Sequence, residues 1–148
     1  MTKLKIEAGD WIVVCDGQKA MILENIGDQK FPNLHAREVR NQPDPRTSDQ
    51  GTDAPGRFFA SVGSERSAVE QTDWHERAEQ AFLRTLARDL HAAVIAGTVK
   101  GLVVVAPPRA LGMVRQAWPA THRDAIKAEL AQDYVKLPVD EIERRLLA

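Results

Sequence analysis

Apolar residues run unbroken from Leu102 to Ala106, Pro107 and Pro108 end the run, and Leu111, Val114 and Trp118 follow at helical spacing. That pattern predicts a strand covered on both faces that feeds a helix. A second such strand is predicted between Asp10 and Asp16, where the residues are Trp11-Ile12-Val13-Val14-Cys15. Gly17-Gln18 reads as a tight turn, and Lys19 to Ile26, with Ala20, Met21, Ile22 and Leu23, reads as the return strand of a hairpin closed by Gly27-Asp28. From Asn33 to Arg40 the apolar positions thin to Leu34, Ala36 and Val39 among His35, Arg37, Glu38 and Arg40. Such a pattern predicts a charged edge strand, since edge charges discourage pairing with another chain.

Asn41 to Arg57 holds three prolines and two glycines and shows no period, which predicts a long loop. Arg57 to Ser61 is expected to dock on the sheet, and Val62 to Gln71 is a polar loop on this reading. Thr72 to Ala96 is predicted as the long helix. Its stripe is Trp74, Ala78, Ala81, Phe82, Thr85, Leu86, Leu90 and Val94, its opposite face carries Glu79, Arg84, Arg88 and Asp89, Asp73 and Glu76 form a capping box, and Gly97 is the stop. Between Thr121 and Tyr134 the pattern supports both structures: Ile126, Ala128 and Leu130 alternate as in a strand, while Thr121 to Asp124 also fits a helix cap. Pro138 opens a last helix with Val139, Ile142 and Leu146 on one face.

At 148 residues the chain fits a single domain, 1–148, with one core. Twenty basic and 21 acidic side chains leave a formal charge of −1, so any contact with nucleic acid must come from a local cluster. No apolar run is long enough to cross a bilayer and Met1-Thr2-Lys3-Leu4-Lys5 lacks the apolar core of a signal peptide, which predicts a soluble, cytoplasmic protein with no membrane partner. The single cysteine, Cys15, reads as a small buried hydrophobe. Trp11, Trp74 and Trp118 read as core.

The order of elements, with the tie near Ile126 read as a strand, is that of the ribonuclease H-like fold, with the first strand central and the fourth parallel beside it through a right-handed crossover. Asp10-Trp11-Ile12-Val13-Val14, Asp53-Ala54-Pro55-Gly56-Arg57-Phe58, Gly63-Ser64-Glu65-Arg66 and above all Ala106-Pro107-Pro108-Arg109-Ala110-Leu111-Gly112-Met113-Val114-Arg115 resemble the bacterial host attachment protein family over nearly the whole chain. That family is named for proteins required for attachment to host cells and is similar to the middle domain of archaeal and eukaryotic class-one translation release factors. The resemblance implies an α/β, ribonuclease H-like mixed sheet of five strands, and with it a strand at Ile126. It also implies RNA, tRNA or the ribosome as partner.

Three functional readings compete. Two-metal nuclease chemistry needs several carboxylates around the ions. Asp16, Asp73, Glu76 and Glu79 are available, but Ala106-Pro107-Pro108 ends the fourth strand where a second sheet carboxylate is needed, so neither a metal nor another cofactor is expected. Peptidyl-tRNA hydrolysis in the resembled release factors depends on a Gly-Gly-Gln loop, whose place is taken here by Gly63-Ser64-Glu65. A glutamate carboxylate offers no amide donor. Asp16 and Glu65 remain the candidate general acid or base of a hydrolase acting on a nucleic-acid phosphoester or peptidyl-tRNA ester, and Asp16 also suits capping of its own turn. The leading expectation is a non-catalytic binding module in which Arg46, Arg57, Arg66, Arg109 and Arg115 converge on phosphates, with Pro108 and Gly112 beside them. Gly112 inside a helix signals close backbone approach, to the sheet or to a ligand. The third reading is an indirect factor for attachment to host cells. His35, His75, His91 and His122 show no zinc spacing, and Ser61 and Ser64 lack a nucleophile turn.

Overall fold

The structure is a computed structural model and describes residues 4–42 and 64–147, with side chains in the second stretch from Asp73 onward. Along the chain lie β1 (Trp11–Cys15), β2 (Lys19–Asn25), β3 (Leu34–Asn41), α1 (Ser64–Ile95), β4 (Leu102–Ala106), α2 (Pro108–Ala117), a 3-10 turn (Ala120–Ala125), β5 (Ile126–Ala131) and α3 (Val139–Leu147). The five strands form one mixed sheet in the order β3-β2-β1-β4-β5. β1 pairs antiparallel with β2 and parallel with β4, and β4 pairs parallel with β5. This is the strand order expected of the fold.

The two covered strands sit at the middle of the sheet, and their alternating side chains feed two cores. Trp11, Val13 and Cys15, with Leu102, Val104 and Ala106, meet Leu83, Leu86, Ala87 and Leu90 of α1 and Ala110, Leu111 and Val114 of α2. Ile12, Val14, Val103 and Val105 face the other way, onto Ile6, Val135 and Ile142 and Leu146 of α3. A period of two on strands buried from both sides therefore divides the protein into helix, sheet and helix layers.

Several expectations change. The long helix starts at Ser64, not Thr72, so the polar segment assigned to a loop is helical from Ser64 onward. Its residues, Ser-Glu-Arg-Ser-Ala-Val-Glu-Gln, contain no glycine or proline and suit a helix; their polarity had suggested a loop. Asp73 and Glu76 accordingly lie inside α1 and cap nothing; Asp73 pairs with Arg77 one turn on, at 2.8 Å. The buried stripe is rotated from the expected one: Leu83 and Ala87 are in, Ala81 and Thr85 are out, and Trp74 is 41% exposed rather than core. The sheet beneath α1 selects the inward face, whereas spacing counted from Trp74 assumed that the whole helix lies over the core.

β2 ends at Asn25, and Ile26 is exposed. The ambiguous segment satisfies both readings in turn, a 3-10 turn followed by the edge strand β5. α1 ends in a Schellman motif, with Gly97 at φ +79°, the Thr98 N–H on the Ala93 carbonyl at 2.9 Å and the Gly97 N–H on that of Val94 at 3.1 Å. The loop expected at Asn41 to Arg57 lies, apart from Asn41 and Gln42, outside the described residues, as does the docking expected of Arg57 to Ser61.

Candidate functional site

β1 and β4 run parallel at the centre of the sheet, so their C-terminal ends open on the same edge, where open α/β folds bind ligands. Three stretches of the chain meet there. β1 continues into Asp16-Gly17, β4 into Pro107, and α2 begins at Pro108 with Arg109 in its first turn. Glu79 reaches across from α1 and lies directly on Gly17: a Cβ at that glycine would meet the Glu79 carboxyl carbon at 2.6 Å. Asp16, Gly17, Glu79, Pro107, Arg109, Ala110 and Met113 enclose a small cleft of about 170 Å³.

The electrostatics of this edge are set by one arginine among carboxylates. Arg109 places Nη2 3.3 Å from Glu76 and 3.4 Å from Glu79, and its side chain is 61% exposed. These pairs are long and solvated, the class whose net worth is about 0–1 kcal/mol. Asp16 turns its Oδ1 back on the chain, accepting the N–H groups of Gln18 and Lys19 at 2.8 Å each. It caps its own turn, the plainer of its two sequence readings.

This donor set does not suit the paired divalent ions of a ribonuclease H-type centre. A guanidinium faces Glu76 and Glu79, one Asp16 oxygen is held by backbone donors, and β4 ends in Ala106-Pro107 with no carboxylate. Among the described residues no group of three or more His, Cys, Asp and Glu is placed to hold a metal ion.

The arginines anticipated as one cluster are not together where they are described. Arg109 turns to α1, while Arg115, six residues on, turns to β5 and pairs with Glu129 at 2.7 Å. The hydrogen bond and the charge of Glu129 raise the Arg115 guanidinium above its ordinary value. Arg46, Arg57 and Gly63 lie outside the described residues, and Glu65 and Arg66 are placed only as first-turn positions of α1. Pro108 is exposed at the N-terminus of α2. Gly112 is not in close contact with the described residues: a Cβ there would meet none of them within 4 Å, so the described sheet does not explain it. A larger hollow of about 640 Å³, lined by Arg40 to Gln42 and by Ala78, Ala81, Phe82 and Thr85, is mostly apolar and carries, among the described residues, one titratable side chain, Arg40, already paired with Asp89 at 2.8 Å.

Sequence reasoning named Asp16, Glu76, Glu79 and Arg109 but missed their coupling, because the α1 carboxylates reach the arginine only through the packing of α1 on α2. It also missed the contact between His91 and His122, whose ring nitrogens lie 2.9 Å apart across 31 residues of chain. No local spacing could have signalled it.

Cys15 is buried as read, and burial, followed by the neighbouring charge of Asp16, pushes its thiol up to about 12. Among the described residues no helix is long and apolar enough to cross a membrane.

No curated protein matches the chain. A family model described as "Protein required for attachment to host cells" matches residues 11–146, from the first residue of β1 into the last turn of α3. The match takes in all five strands and the strand-end edge with its Pro-Pro-Arg turn, and on that ground the chain belongs to the host attachment family.

Proposed function

We propose that this protein is a non-catalytic binding module whose partner is RNA, tRNA or a ribosomal surface, and that the attachment role in the family's description follows indirectly from that binding. The observation that carries the non-catalytic part is Arg109 lying over Glu76 and Glu79, where a phosphoesterase needs its carboxylates free for metal or proton transfer. What supports the nucleic-acid part is the exchangeability of the arginines. Arg109 and Arg115 are both at least half exposed and sit in ion pairs with carboxylates; the long pairs of Arg109 are the readily displaced ones, and a phosphate that takes over its guanidinium gains a charge-assisted, bidentate contact. The partner class rests on the resemblance to release-factor middle domains that is read from the sequence.

The test is co-sedimentation of the protein with bacterial ribosomes, and separately with tRNA, across a salt series, with Arg109→Ala beside the wild type. Binding that weakens with salt and further weakens in the variant supports the reading. Absence of binding to either at low salt overturns it.

A further inference from the structure

His91 on α1 and His122 in the 3-10 turn face one another with Nε2 and Nδ1 2.9 Å apart and their ring planes inclined at 65°. At that separation one nitrogen must carry a proton and the other must be bare. The neighbours decide which. Thr121 Oγ1 lies 3.2 Å from the same His122 Nδ1 and has a proton to donate. A bare Nδ1 therefore satisfies both contacts, which places the proton of His122 on Nε2 and makes His91 Nε2–H the donor.

Trp118 closes the arrangement. Its indole N–H donates to the His122 carbonyl at 2.9 Å, and its ring stands edge-on to His91 at 5.5 Å. Three elements, α1, the end of α2 and the turn leading into β5, are thus joined around one shared proton. Both imidazoles are half-buried. The charged groups around them are otherwise engaged or solvated: on α1, Asp89 turns to Arg40 and Arg88; on α2, Arg115 is held by Glu129; in the turn, Arg123 and Asp124 are exposed.

We propose that the His91–His122 contact is a proton-operated clasp, closed at neutral pH and opened by acid, whose opening releases from α1 the 3-10 turn that leads into β5. One added proton leaves the bond in place, because an imidazolium still donates to a neutral imidazole. A second proton, taken from the solvent, occupies Nδ1 of His122, removes the last bare nitrogen at the contact and brings two cations together. The separated histidines of the unfolded chain take up both protons freely. It is this second proton that the closed clasp excludes and the unfolded state accepts, so acid favours opening.

The experiment compares full-length wild type, His122→Asn and His91→Ala by urea unfolding at pH 7.5 and 5.0, with long-range proton–nitrogen NMR of the imidazoles. His122→Asn sets an amide oxygen near the position of Nδ1, an acceptor that does not titrate. The expected result is that the wild-type folding constant falls on acidification about tenfold more than that of His122→Asn, the worth of one lost hydrogen bond to a charged or neutral partner. His91→Ala is weakened at pH 7.5 and loses little more at 5.0, and NMR at pH 7.5 shows His122 protonated on Nε2. Equal acid sensitivity in wild type and His122→Asn, or rings that titrate independently of each other, overturns the proposal. Should His91→Ala fail to fold, the comparison of wild type with His122→Asn still decides.

Discussion

Asn25 shows how much one side chain can organise. It is buried at the end of β2; its Nδ2 donates to the carbonyls of Ile6, Glu7 and Asp28, and its Oδ1 accepts the N–H groups of Gly27 and Asn33. Those bonds fix the loop that carries Phe31, 72% exposed, at its tip. Asn25→Ala removes a hydrogen bond from each of five backbone groups, of which the Glu7 carbonyl keeps a second partner in the Asp10 N–H, and a loss of about 3 kcal/mol is expected, read as a lower urea midpoint. Gly112 predicts the opposite sign. With no described residue near its Cβ position and an ordinary helical φ, Gly112→Ala is expected to stabilise by up to about 1 kcal/mol. If Arg109-dependent binding to tRNA or ribosomes is lost in that variant while the melting temperature rises, the glycine is kept for ligand approach. Cys15, with its thiol raised to about 12, is expected to resist alkylation at pH 8 in the native state and to react fully in denaturant.

At the scale of elements, the two edge strands share a device. The pairing of β3 with β2 slips at Arg37, which stands over the Trp11 ring at 4.7 Å and bonds Glu24 at 2.7 Å. The pairing of β5 with β4 slips at Lys127, which reaches back to Asp10 at 2.6 Å and Glu7 at 3.3 Å. Each edge thus carries a bulge at a cation, and both features discourage another strand from adding on. The charged character of β3 was legible from Asn33 to Arg40, but the bulges were not, because a register slip is a property of two strands together.

The Lys127 contact depends on Gly101, where a Cβ would meet the lysine stem at 2.5 Å. Asp10 is 5% exposed, and Lys127→Met leaves its carboxylate with the Glu7 N–H at 2.8 Å but no cation; a loss of about 3 kcal/mol is expected, largely restored by adding Asp10→Asn. Burial pulls the Lys127 ammonium down, but the hydrogen bond and charge of Asp10, with those of Glu7, outweigh it and hold the group above its ordinary value of 10.5. A raised folded value means that the contribution is complete below the unfolded lysine's titration and is lost as pH climbs past the folded one. Urea midpoints measured from pH 8 to 11.5 should therefore fall at the alkaline end in wild type more than in the double variant.

For the molecule as a whole, the sheet order brings β1 and β4 together and so determines where chemistry can be placed. Their shared C-terminal edge gathers Asp16, Gly17, Pro107 and Arg109 from positions more than 90 residues apart, and α1, lying across it, adds Glu76 and Glu79. The resulting edge is an arginine held by carboxylates, the arrangement on which the proposed binding role rests. Binding through it would weaken with salt, since the pairs that hold Arg109 and any phosphate that replaces them are both solvent-screened.

The sequence alone determined the two-face burial of β1 and β4, the hairpin between them in order, the charged edge at β3, the Gly97 stop and the Pro-Pro-Arg turn after β4. Each of these is written in neighbouring residues, as an apolar run, a period or a residue with restricted backbone. Tertiary structure alone decided which stripe of α1 is buried, that Trp74 stays outside, that Arg109 and Arg115 turn away from each other, and that His91 meets His122. Those outcomes depend on how a helix is rotated and seated on a sheet, and that is fixed by the summed packing of distant elements rather than by any local signal.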